Sequence, residues 1–127
     1  MKKIGIITVF LFTLFTTLCP LDTTGKSNCM MAVTYSEMAY AQFKKVNKAS
    51  SLDNAKKALK KALQNAKETA AYAAQCGCSN AETYSLSAFT IAEKGVDATS
   101  VEDLSSISKK AMDLSLDAMQ SAQQCGK

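Results

Sequence analysis

The residues of greatest chemical capacity in this chain are cysteines. Cys29, Cys76, Cys78 and Cys125 occupy matching places in two stretches of sequence. Thiols in such a set either pair as disulfides or bind a soft metal ion as thiolates. The spacing favours pairing. Residues 29–77 align without gaps onto 78–126, with 16 identities over 49 positions. Cys29 falls on Cys78 and Cys76 falls on Cys125, so each copy is opened and closed by a cysteine. An ancestral single copy would have had only one pairing open to it. The predicted bridges are therefore Cys29–Cys76 and Cys78–Cys125. The metal reading rests on Cys76-Gly77-Cys78, a C-x-C, and on Met30-Met31 beside Cys29, a set suited to Cu(I) or zinc. Zinc sites more often use C-x-x-C spacing. A soft-metal or thiol-redox protein is thus the alternative, and no metal-ligating set and no cofactor is assigned.

The second chemical feature is charge. The chain carries a net charge of +4, but the two copies differ. Residues 29–77 hold eight lysines against Glu37, Asp53 and Glu68, which gives +5. Residues 78–126 hold three lysines against seven acids, which gives −4. Lys44, Lys45, Lys48, Lys56, Lys57, Lys60 and Lys61 flank one short polar break, so they gather at the tip of the first unit. The matching tip of the second holds Glu93, Lys94, Asp97, Glu102 and Asp103. Two roles fit the lysines. The halves could attract each other, or the basic tip could meet an anionic partner such as a polymer, lipid headgroups or an acidic protein.

What is missing narrows the chemistry. There is no His, so the commonest general base and metal ligand are absent. All 15 basic residues are lysines, so there is no Arg to clamp phosphate or carboxylate bidentately. No Gly-rich phosphate loop, Ser-His-Asp set or E-x-x-H metal motif occurs. The expectation is a non-enzymatic binding protein. Nucleic acid is not the expected partner, because no aromatic residues interleave with the lysines.

The elements that must position these groups are helices. Leu52, Ala55, Leu59, Ala62, Ala66, Thr69, Ala73 and Cys76 recur at alternating steps of three and four, a heptad seam. Leu104, Ile107, Ala111, Leu114, Ala118, Ala122 and Cys125 form the stripe of the second copy. Ser50 with Asp53, Thr99 with Glu102 and Ser79 with Glu82 read as helix starts. The preceding segments are helical too. Tyr35, Met38, Ala39, Gln42, Phe43 and Val46 run down one face in the first copy, and Tyr84, Ala88, Ile91, Ala92 and Gly95 match them in the second. The equivalent Tyr35 and Tyr84 are expected in the core, with Met38, Met112 and Met119 as filler. The first helix is expected to begin at Asn28 or Thr34. Asn47–Ser51 and Gly95–Ser100 are the breaks, and Gly77 and Gly126 are placed to end helices.

These elements predict an all-α fold: a four-helix up-down-up-down bundle of two tandem α-hairpins, stapled by disulfides. The bundle is expected to be a monomer or a weak dimer. Ahead of it, Lys2 and Lys3 precede a run from Ile4 to Leu18 that is mostly apolar. That run fits a secretory signal and is short for a membrane span. The expected organisation is a signal peptide over 1–25, cut near Gly25, and a helical domain over 26–127. An uncleaved anchor, or lipidation at Cys19, is the competing reading of the N-terminus. The protein is thus expected to be exported, to periplasm, surface or medium, with no transmembrane span once the signal is removed.

Overall fold

The computed structural model describes residues 29–125. The expected signal segment, Cys19 and Gly126 lie outside the described residues. The chain forms α1 (Met30–Lys48), α2 (Leu52–Gln75), α3 (Ser79–Glu93), a 3₁₀ turn (Lys94–Asp97) and α4 (Val101–Cys125). No strand occurs among the described residues. In the ring of helices, α1 packs on α2 and α4, and α3 packs on α4 and α2.

Local chemistry sets the helix ends. Ser51 caps α2 by accepting a hydrogen bond from the Asn54 amide at 3.3 Å. Ser100 does the same for α4, accepting from the Asp103 amide at 3.1 Å. The capping serines thus sit one residue after the expected Ser50 and Thr99. Helix α3 is preceded by Cys78, with no side-chain cap, and Ser79 is its first helical residue. Cys29 likewise precedes α1, which starts at Met30 rather than at Asn28 or Thr34. Two positions after each cysteine-led start, a repeated pattern emerges: α1 buries Ala32, Ser36 and Ala39, and α3 buries Ala81, Ser85 and Ala88.

The α2–α3 link is a tight helix stop. The Cys78 amide donates to the Ala73 carbonyl at 2.8 Å, and the Gly77 amide donates to the Ala74 carbonyl at 3.2 Å. This is a Schellman ending, which needs a left-handed residue between the two donors' carbonyl partners and the next segment. Gly77 supplies it, with φ of 74°.

The buried faces of α1, α3 and α4 overlap the expected ones, keeping Ala39, Phe43 and Val46, Ala88 and Ala92, and Leu104, Ala111, Ala118 and Ala122, but shift toward small residues. Helix α1 buries Ala32, Ser36, Ala39, Phe43 and Val46. Tyr35 is only half-buried and Met38 is 45% exposed. Helix α3 buries Ala81, Ser85, Ala88 and Ala92, leaving Tyr84 38% exposed. Helix α4 buries Ser108 and Ser115 in its stripe, with Ile107 and Leu114 half-buried beside it. The tyrosines and Met38 are therefore not core residues. Small side chains hold the centre and large ones shield its flanks. Met112 does pack at the core's edge.

The core is graded along its length. Near the hairpin turns it contains Phe43, Val46, Leu59 and Leu104, all fully buried, set among alanines. Near the opposite end it contains only Cys29, Ala32, Ala73, Cys78, Ala81 and Ala122.

Candidate functional site

The two ends of the bundle carry different chemistry. At one end, Cys29 is bonded to Cys76 and Cys78 to Cys125, with Cα separations of 5.4 and 5.9 Å. Each bridge joins the start of one helix to the end of the next, so each pair is an antiparallel hairpin. The sulfurs of Cys29, Cys78 and Cys125 lie within 4.8 Å of one another. The four cysteines therefore converge, but every sulfur is committed to a bridge. A disulfide sulfur has no thiolate charge to offer a metal ion. While both bridges are closed this end is structural.

The other end carries the lysines. Lys44, Lys45 and Lys48 lie on the last two turns of α1, and Lys56, Lys57, Lys60 and Lys61 on the first three turns of α2. Ala49, Ser50 and Ser51 join the two helices, so all seven ammonium groups belong to one end. Six are exposed, and Lys56 is half-buried. Lys45 and Lys48 suit the negative end of the α1 dipole, whereas Lys56, Lys57, Lys60 and Lys61 lie past the first turn of α2 and gain nothing from its dipole. Lys56 with Lys60 and Lys57 with Lys61 are also like-charge pairs one turn apart, which weakens a helix. The cluster works against local stability.

The acidic hairpin makes no direct ion pair with it among the described residues. Among the described residues the ion pair formed is Lys57 with Asp53, at 3.0 Å and within α2 itself. Both partners are largely exposed, so the pair adds little. The contacts that tie the hairpins together here are uncharged. Ser105 donates to the Asn47 side-chain oxygen at 3.3 Å, and the Asn47 amide approaches the Met112 sulfur at 3.7 Å.

Lys56 and Lys60 differ from the other five lysines. They edge an open groove of about 310 Å³ between α2 and the 3₁₀ turn, lined also by Leu59, Leu63 and Val96. A second opening of about 350 Å³ shares Lys60 and Leu63 and adds Gln64, Lys67, Glu68 and Phe89. The Lys67 ammonium stands 5.7 Å from the centre of the Phe89 ring, a cation–π contact between hairpins. Sequence reasoning found the lysines and missed the groove. Leu59 read as seam, and nothing in the spacing of Val96 or Phe89 tied them to α2. The one available signal was Gly95, next to Val96 in a polar break, where a missing side chain permits close approach of the backbone.

No helix among the described residues is long and apolar enough to cross a membrane. No protein-family model matches this chain, and no curated protein and no solved structure is significantly similar to it.

Proposed function

We propose that this chain is an exported, non-enzymatic binding protein whose working surface is the lysine-bearing end of the first hairpin. The partner is an anionic macromolecule or envelope surface. The observation that carries the reading is the unspent charge. The lysines are exposed, crowd one another against helix preference, and make no ion pair with the acidic hairpin among the described residues. The two bridges support export, because disulfides persist in oxidising compartments. The lack of His and Arg supports a binding role over catalysis. A soft-metal or thiol-redox role would first require a bridge to open.

The test replaces Lys56, Lys57, Lys60 and Lys61 with Gln and measures binding to vesicles containing anionic lipid. A lysine near such a surface contributes about 1 kcal/mol, so the loss should exceed tenfold at low salt. Wild-type binding should itself weaken as salt rises. The variant should melt at the wild-type temperature or slightly above, since the crowding of like charges is relieved. A variant that melts lower at low salt while binding is unchanged would assign the lysines to an intramolecular role and end the proposal.

A further inference from the structure

The groove beside α2 has a ligand chemistry of its own. Lys56, Leu59, Lys60 and Leu63 fall at successive steps of three, one and three residues, so they share one helix face. Cationic and apolar groups thus run side by side along that face. Val96 forms the opposite wall, and Phe89 lies further along with Lys67.

The wall is held in place by packing. Gly95 is buried, and a Cβ there would lie 3.3 Å from Leu59 Cδ2 and 2.5 Å from Leu104 Cδ1. The absence of that atom lets the 3₁₀ turn close on α2 and α4. Val96, the next residue, stands 48% exposed at the groove's mouth. Each opening is at the low end of the ~300–1,000 Å³ typical of small-molecule sites.

A purely polar anion would engage Lys56 and Lys60 and leave Leu63 and Val96 against water. A neutral alkyl chain would cover the apolar wall and gain nothing from the ammonium groups. One class of ligand satisfies both. We infer that this groove binds a single-chain anionic amphiphile of the fatty-acid type. Its carboxylate meets Lys56 and Lys60, and its methylenes lie along Leu63 and Val96 toward Phe89. The inference rests on reading this end of the bundle as anion-binding, and it adds an apolar requirement which that reading lacks.

The experiment titrates the disulfide-bonded protein with sodium octanoate, nonanoate and decanoate below their micellar concentrations. Methyl NMR signals of Leu59, Leu63 and Val96 report the site. Binding should saturate and strengthen about two- to fourfold per added methylene, as expected for partial to full burial of each. Replacing Lys56 and Lys60 with Gln should weaken decanoate binding at least tenfold. Val96→Gln removes apolar wall at an exposed position without changing charge, and should weaken it about three- to tenfold. Affinity independent of chain length, equal affinity for decyltrimethylammonium, or an unchanged Val96→Gln variant would overturn the inference.

Anionic vesicles separate this inference from the broader proposal. Lysine-dependent vesicle binding without decanoate binding leaves the basic surface standing and removes the groove. Decanoate binding without vesicle binding keeps the groove and removes the surface reading.

Discussion

Gly77 and Gly95 are both required to be glycine, for different physical reasons. Gly77 has a φ of 74°, and a Cβ there would meet nothing within 4 Å. Its constraint is purely conformational. Gly77→Ala should cost about 1–2 kcal/mol, the penalty for placing an L side chain in the left-handed region. Gly95 has the opposite problem, since its backbone is ordinary and its surroundings are full. Gly95→Ala must displace Leu104, itself fully buried, and should cost about 1–3 kcal/mol by overpacking. Thermal melts of the two variants give the first check. The second is location: Gly95→Ala should perturb methyl signals of Leu59 and Leu104, and Gly77→Ala should not. A Gly95→Ala protein that melts like wild type would show that the turn has room, and that Val96 is not held where the groove needs it.

At the scale of the element, α2 differed from the other three helices in how far its buried face could be read. The α2 seam is buried from Ala55 through Ala73 along the expected positions. Its apolar residues and its small residues coincide, so hydropathy and packing point to the same face. In α1, α3 and α4 they diverge. Hydropathy favours Tyr35, Met38, Tyr84, Ile107 and Leu114, whereas the helices approach through Ala and Ser and push larger side chains to the flanks. Tyr35 finds a partner there, stacking on Tyr72 with ring centres 5.3 Å apart. Serine at a helix contact carries no hydropathy signal, which is why Ser36, Ser85, Ser108 and Ser115 escaped notice. The count of α-helices and the placing of the cysteines at the helix ends stand, and the breaks are shorter than expected: α1 runs on through Asn47 and Lys48, and the 3₁₀ turn takes up residues 95–97.

The serines also yield a test of why they are there. The Ser36 hydroxyl donates to the Ala32 carbonyl at 2.7 Å, and that of Ser115 donates to the Ala111 carbonyl at 2.9 Å. Those of Ser85 and Ser108 are buried and make no such bond. If size alone selects serine, Ser108→Ala should be neutral or stabilising by up to about 1 kcal/mol, because a buried hydroxyl without a partner is costly. Ser108→Leu should instead destabilise by about 1–3 kcal/mol, because the interhelical space is filled. Chemical denaturation of both variants decides the matter. A clear loss of stability in Ser108→Ala would mean that the hydroxyl is bonded, and that the contact is polar by design.

At the scale of the whole molecule, the graded core explains why the bridges are where they are. The turn end is held by Phe43, Val46, Leu59 and Leu104, each contributing substantial apolar burial. The cysteine end has no side chain larger than cysteine in its buried cluster. Close helix approach there leaves little apolar area to bury, and the bridges supply the missing constraint. Each spans 47 residues of sequence separation. The chain-entropy model assigns about 4 kcal/mol to a loop of this length, as an upper-end figure. Set against the ~5–15 kcal/mol of a typical domain, losing one bridge is severe and losing both removes most of the stability. Replacing Cys29 and Cys76 with Ser, or Cys78 and Cys125 with Ser, should therefore lower stability by about 2–4 kcal/mol in either case. The loss should be uneven in space. Amide exchange should quicken first in the opening turns of α1 or α3 and the closing turns of α2 or α4, where packing is thinnest. The amides around Phe43, Leu59 and Leu104 should keep their protection until the chain unfolds as a whole. Uniform loss of protection would show instead that the two ends form one cooperative unit, and that the bridges act only through the unfolded chain. The lysine end and its groove lie on the well-packed side of this gradient. A single-bridge variant that stays folded should consequently keep its anion binding, which makes the cysteine end a fastening for the surface and not a part of it.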